Sequence, residues 1–362
     1  MNEFVIERAG RLRKLISEHG ADAFIIIADE GVNWESLYYM SGFRGTSGSV
    51  VIYDDSAELI LDRRYIQQGR TESPHDVIEQ QHDLIEDVRR SLLKHCAKTV
   101  CCEAKKTLHS TWSRLSGSAD AGLKDGTELI EMLRRTKDEH EIDHIRKAGK
   151  IGANAFLETL NDVRPGITER EFEAALNYHI NKYGGETGFD MIVASGQRSA
   201  MPHGRASDKV VNKGEWVTVD FGARYSGYLC DITRNFSIGE PDIKAAEYHN
   251  ILLEAHAGAS DKLCAGASCA DIHNTAADIL EGYGVGKYFT HSVGHGFGLE
   301  IHEPPILSSR RCDILVPGDV VTIEPGIYIE GWGGLRIEDD YLVTENGSCR
   351  LTDQLNQYFY RV

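Results

Sequence analysis

A pattern that recurs within the last two-thirds of this 362-residue chain constrains its fold more than any other feature. The stretch RPGITEREFEAALNYHINKYG (164–184) is matched by CAGASCADIHNTAADILEGYG (264–284) at a constant offset of 100. Gly166 answers to Gly266, and Tyr183-Gly184 to Tyr283-Gly284. Downstream, KGEWVTVDFG (213–222) is matched by PGDVVTIEPG (317–326). Each carries an acid six residues after a glycine, Asp220 after Gly214 and Glu324 after Gly318. A unit of helix and acid-bearing strand pair, present twice, predicts two similar halves packed as two sheets with helices outside.

The acids make the pattern chemical. VTVDFGARYSGYLCDITRNF (217–236) reads as two strands about a tight turn at Arg224-Tyr225-Ser226-Gly227. A turn centred on the Tyr225–Ser226 bond makes Asp220 and Asp231 direct cross-strand partners, with Cβ atoms about 4.5–5.5 Å apart. Like charges so placed destabilise a sheet. Either the pair faces water, or one acid is protonated, or a cation sits between them. The second half repeats the arrangement in VTIEPGIYIEGWGGLRIEDDYLV (321–343), where pairing about Gly331 sets Glu324 opposite Glu338. Glu330 and Asp339-Asp340 read as solvent-facing acids. If pseudo-twofold symmetry turns the two acidic faces towards each other, four carboxylates share one cavity. Ionised together without cations, they would be severely unstable.

HSVGHGFGLEIHEPP (291–305) adds His291, His295 and His302. The spacing is not H-E-x-x-H, and glycines on either side of His295 exclude a stable helix. A Gly-flanked strand that brings His295 beside the acids makes it a ligand candidate. Four carboxylates and one imidazole suit two divalent cations about 3.5–4 Å apart. The oxygen-rich set favours manganese, with cobalt, iron or zinc as alternatives.

The first third alternates helix and strand patterns. Val5–Glu18 has helical periodicity, with Ile6, Ala9, Leu12 and Ile16 on one face. AFIII (23–27) reads as a buried strand, SGSVVIY and AELILD as a hairpin over Asp54-Asp55-Ser56, and TVCCEA (99–104) as a further strand. A long polar helix is expected over Thr136–Leu160. These patterns set a small α/β domain at 1–130 and the duplicated domain at 131–362. A net charge of −17 argues against nucleic-acid or anionic-membrane partners. No apolar run approaches the ~20 residues of a membrane span. The opening MNEFVIERAGRLRKL contains acids and lacks the apolar core of a secretory signal. Eight scattered cysteines without a C-x-x-C pair suit reduced thiols and a cytoplasmic location.

Taken together, VTVDFG, DITR, GHGFGLEIHE, TIEPGIY and LRIED resemble the motifs of the pita-bread metallopeptidases, which include methionine aminopeptidase, Xaa-Pro aminopeptidase and prolidase. The resemblance runs from Thr136 to the C-terminus, and YYMSGFRGTSGSVVIYDD (38–55) is similar to the creatinase-type N-terminal domain. The implied class is α+β, a pita-bread catalytic domain behind a smaller α/β domain. That extra domain, and the 14 residues from Glu324 to Glu338, point to the proline-specific branch.

The resemblance implies metal ligands Asp220, Asp231, His295, Glu324 and Glu338, with Asp231 and Glu338 bridging two ions. It implies that Glu324 passes a water proton to the leaving nitrogen and that His302 stabilises the scissile carbonyl. By the same resemblance His203, in MPHGRASDK, contacts substrate. His291 lines the substrate pocket. Arg336, sharing the face of Glu338, orients the acids. Phe189, Tyr328 and Pro304-Pro305 offer apolar surface to a proline ring. The expected activity is that of an Xaa-Pro aminopeptidase acting on short peptides with proline second, as a homodimer. The alternative is a prolidase restricted to dipeptides, with Arg310 or Arg311 holding the free carboxylate. A non-catalytic binding protein on the same fold is the third reading, and the intact ligand set argues against it.

Overall fold

The computed structural model describes residues 2–117 and 121–362 and divides into two compact units, Met1–Arg134 and Arg135–Val362. The first unit is built on a six-stranded mixed sheet. Its strands run in the order Asp76–Glu79, Ala57–Leu61, Gly48–Tyr53, Ala23–Ala28, Thr99–Cys102, Gly122–Asp125. Ala23–Ala28 is buried at every position, so its residues read as one apolar run with no alternation. The helix Asn2–Glu18 buries Val5, Ala9, Leu12 and Ile16. Ile6 lies 54% exposed, contrary to expectation, because the stripe runs i, i+4, i+7, i+11 from Val5 and leaves the next position outward.

In the second unit the repeat is visible as repeated capping chemistry. The helices Glu169–Lys182 and Cys269–Gly282 start on hydroxyl N-caps, Thr168 accepting from the Glu171 amide and Ser268 from the Asp271 amide. They end at Tyr183 and Tyr283, followed by Gly184 and Gly284 at φ 84° and 73°, where a side chain is disfavoured. The long helix begins at Glu139, three residues later than expected, because Asp138 and Glu141 close a capping box there. It runs to Asp162 and packs its apolar face, with Phe156 stacked on Phe221, against the first sheet.

That first sheet has the order Tyr360–Arg361, Ile232–Ser237, Trp216–Phe221, Ile192–Ser195. The second has the order Glu303–Leu307, Gly294–Gly296, Val320–Ile323, Asp339–Thr344, Gly347–Arg350. Helices Ile243–Ser260 and Cys269–Gly282 pack against the second sheet around Leu252, Ile272 and Leu280. The repeat extends to single bridges, Thr168 to Val210 in one half and Ser268 to Ile314 in the other.

The hairpin registers decide where the acids fall. In the first, Thr233 faces Asp220 and Ile232 faces Phe221, two residues away from the expected pairing. The turn is the two-residue Ser226-Gly227, at φ 50° and 89°, between Tyr225 and Tyr228. Asp231 lies between the strands Tyr228–Leu229 and Ile232–Ser237, opposite the bend at Gly222, where a Cβ would meet the Cys230 carbonyl at 2.2 Å. An even shift leaves every side chain on its own face, so Asp220 and Asp231 still share one, on the diagonal. In the second hairpin the expected register holds. Gly326 faces Arg336 and Ile323 faces Asp339, with Glu324 and Glu338 between these paired segments.

Candidate metal centre

The two acidic faces and the His295 strand converge. Asp231, His295 and Glu338 are buried, and one ligand atom from each lies within 4.8 Å of the others. His295 Nε2 stands 3.6 Å from Asp231 Oδ2 and 3.5 Å from Glu324 Oε1. These separations suit neighbouring donors around an ion with bonds of roughly 2.0–2.2 Å. The His295 Nδ1–H donates to the Gly296 carbonyl at 3.1 Å, which leaves the Nε2 lone pair facing the acids. Burial, with the nearby His302 ring, pushes the His295 pKa down to about 3.

Arg336 spans the cluster from its own strand. Its Nη2 donates to Asp220 Oδ2 at 2.6 Å, its Nη1 to the Tyr328 hydroxyl at 2.6 Å and its Nε to Thr233 Oγ1 at 3.0 Å. Thr233 in turn donates to Glu338 Oε2 at 2.6 Å. One guanidinium does not balance four acids in a dry site. Burial raises all four; neighbouring acids add to it at Asp231, Glu324 and Glu338, while Arg336 opposes it at Asp220. Glu324 is pushed up to about 8, and Asp231 and Glu338 rise well above the carboxylate range. Asp220 Oδ1 and Asp231 Oδ1 are buried with no hydrogen-bond partner. Unpaired oxygens, surplus negative charge and a deprotonated imidazole are the donor set that hard or borderline divalent cations take.

The remaining sequence candidates border this cluster. His302 is exposed, its ring edge-on to His295 at 4.4 Å between centroids. His291 is half-buried. It donates from Nδ1 to the Ser292 carbonyl at 2.8 Å and accepts from the Tyr328 hydroxyl at 3.1 Å. Burial, helped by Arg336, lowers its pKa to about 4. His203 is exposed, within electrostatic reach of Asp220, His291 and His302. Phe189 packs beside Gly222. Pro304-Pro305, joined by a cis bond, stand in the strand after His302. Arg310 and Arg311 are exposed in the loop beyond that strand.

Two expectations need correction. Asp339 and Asp340 do not face solvent; both are fully buried. Their strand is an interior one, paired on one side with Val320–Ile323 and on the other with Gly347–Arg350, and nothing in the local sequence announces that. Asp339 is held by Arg234, Thr352 and Gln357. Asp340 Oδ2 accepts from the Asp231 amide at 3.0 Å and so fixes the backbone of that acid. Thr233 also went unnoticed, although it lies two residues after Asp231 on the same face, a period-two signal.

Comparison with known proteins agrees with this geometry. Residues 143–345 match the model of metallopeptidase family M24, and residues 8–136 match the creatinase/prolidase N-terminal domain. The Xaa-Pro dipeptidase of Pyrococcus furiosus is 37% identical over 349 residues, 96% of this chain and 97% of that one. An X-Pro aminopeptidase structure from Thermotoga maritima superposes with TM-score 0.92 at 40% identity, covering 98% and 99% of the two chains. An Xaa-Pro dipeptidase structure from Bacillus anthracis gives 0.93 at 38% identity, covering 99% and 100%. A duplicated helix-and-hairpin unit with buried acids on facing hairpins is therefore what it resembles: the chain belongs to metallopeptidase family M24, with a creatinase/prolidase N-terminal domain ahead of its catalytic unit.

Proposed function

We propose that the protein hydrolyses the bond between a first residue and a following proline, prefers dipeptides, and holds two divalent cations, most simply Mn2+, on Asp220, Asp231, His295, Glu324 and Glu338. The observation that carries this reading is the buried Asp231–His295–Glu338 group with unpaired carboxylate oxygens around it. Support for the dipeptide preference comes from the Pyrococcus and Bacillus relatives, both named as Xaa-Pro dipeptidases. The Thermotoga X-Pro aminopeptidase supports a second reading, cleavage of longer peptides. Eight free cysteines suit a cytoplasmic setting.

Divalent ions in this site supply Lewis acidity and make a water acidic enough to deprotonate near neutral pH. The chain's own residues do the rest. Glu324, at the edge of the cluster with its carboxylate partly accessible, takes the proton of the attacking water and delivers it to the proline nitrogen. Arg336 and Thr233 hold the orientation of Asp220 and Glu338. His302 and His203, on the exposed side, donate to the carbonyl oxygen as charge builds on it.

The test is to strip the protein with a chelator, restore Mn2+, and assay Xaa-Pro dipeptides beside Xaa-Pro-Yaa tripeptides. The reading expects turnover lost and regained with metal, and dipeptides cleaved faster. Turnover indifferent to chelation would end the dimetal reading, and faster tripeptide cleavage would move the assignment to the aminopeptidase.

A further inference from the structure

Glu169 is a fully buried carboxylate with no place in the chemistry above. It sits in the first turn of the helix Glu169–Lys182 and collects five donor atoms from one loop. Its Oε1 accepts from the Ser195 amide at 2.7 Å and the Ser195 hydroxyl at 2.8 Å. Its Oε2 accepts from the Ser207 hydroxyl at 2.7 Å, the Ser207 amide at 3.1 Å and Arg198 Nε at 3.0 Å. Ser195 ends a strand and Ser207 lies past the loop, so one carboxylate ties both ends of 195–207 together. Arg198 extends the tie inward by donating from Nη2 to the Arg205 carbonyl at 2.6 Å. Lys209 Nζ donates to the Ser195 hydroxyl at 2.7 Å and completes the knot.

The segment enclosed by this clamp carries His203 at its exposed tip. It also touches the acidic hairpin. Ser199 Oγ accepts from the Gly334 amide at 2.8 Å and from the Trp216 indole at 3.0 Å. The repeat shows what is special here. Glu169 corresponds to Cys269 at the same offset of 100, and both donate a backbone N–H to the strand-bound loop, to Lys209 and Asp313 respectively. Only the first half places a carboxylate at that position. A buried ion can be retained at a cost in desolvation when every lone pair is used, as these are.

We propose that Glu169 is a positioning residue: its carboxylate clamps the 195–207 loop and thereby holds His203 at the mouth of the metal centre. The proposal rests on the reading that His203 contacts substrate. Glu169→Gln keeps the shape but turns an amide NH2 towards donors already present. Expected are faster hydrogen exchange of amides 196–207, a fall of roughly tenfold to a hundredfold in kcat/KM for an Xaa-Pro dipeptide, and an unchanged Mn2+ binding isotherm. With His203→Ala the losses are not multiplicative, because a displaced and a deleted histidine are equivalent. If E169Q fails to fold, Ser207→Ala, which removes one donor at the partly exposed end, gives the same changes on a smaller scale. Unchanged exchange across 196–207, or losses that multiply with H203A, overturns the clamp. Wild-type turnover in H203A alone instead removes His203 from the reaction, and the catalytic consequence of the clamp with it, a failure recognisable because exchange in E169Q is still accelerated.

Discussion

Glu338 and Asp339 are neighbours in sequence and opposites in circumstance. Both are buried. Asp339 meets Arg234 Nη2 at 2.6 Å, Gln357 Nε2 at 2.6 Å and Thr352 Oγ1 at 2.7 Å. Burial alone would raise it, yet Arg234, with His256 and Arg350 behind, holds it below the usual carboxylate range. Glu338 has one hydroxyl donor, Thr233, and a guanidinium 3.9 Å away. Burial and the neighbouring acids Glu324 and Asp220 push it far up. Successive residues of extended backbone point to opposite faces, so the step from Glu338 into the strand Asp339–Thr344 changes the environment. Where the chain needs an acid for its own structure it supplies the donors. On the other face it leaves oxygens open, and that is the face turned to the candidate metal centre.

The contrast can be broken from either side. The largest effect is expected on the open face: Glu338→Gln should lower metal-dependent turnover by about a thousandfold or more. The metal-free chain should melt no earlier than wild type, since burial and the neighbouring acids already disfavour the ionised form of Glu338 and an amide matches its neutral one. Near-normal turnover with Mn2+ would remove Glu338 from the site. On the satisfied face the loss is in stability. Arg234→Met leaves Asp339 short of its principal partner and should cost roughly 3–5 kcal/mol in urea unfolding. A cost within error would show that Asp339 does not depend on that ion pair.

Arg336→Lys tests the bridge between acids. A lysine cannot serve Asp220, Tyr328 and Thr233 together, so a drop of about 10- to 100-fold in metal affinity or activity is expected, with folding retained. The last effect is in the pH dependence. Glu324 titrates near 8 in the folded, metal-free chain against an ordinary 4.5. A carboxyl raised on folding gives its full contribution below the unfolded value and loses it as pH climbs through the folded one. The metal-free protein should therefore lose roughly 2–4 kcal/mol between about pH 5 and pH 8. Mn2+ should offset that loss, and Glu324→Gln should reduce it. Asp339 works in the other direction, stabilising above its ordinary 3.8 and losing its contribution as pH falls below that value. A metal-free stability flat from pH 5 to 8 would contradict the raised carboxyl.

Much of this was legible in sequence, for a physical reason. Glycine turns are local signals, so Gly166, Gly266, Gly184 and Gly284 announced the repeat without any tertiary information. The Glu324–Glu338 register followed from taking Gly331 as the centre of the Gly-rich loop. The first hairpin slipped by two because Ser226 takes a positive φ beside Gly227, which a serine does not advertise. Parity saved the conclusion, since a shift of two keeps both aspartates on one face. Burial of Asp339 and Asp340 depends on which strands lie alongside, and the donors to Asp339 come from Arg234, 105 residues away, and from Thr352 and Gln357, 13 and 18 residues further on. The five donors on Glu169 are non-local in the same way, drawn from residues 26 to 38 positions away.

The central claim is that the open face holds metal on these five side chains. A crystal grown with Mn2+ and measured at the manganese absorption edge tests it most directly. The account predicts two anomalous peaks about 3.5–4 Å apart, with Asp231 and Glu338 touching both, Asp220 one, and His295 and Glu324 the other. An anomalous map empty between the two hairpins, from protein that is active in the same Mn2+, would contradict it.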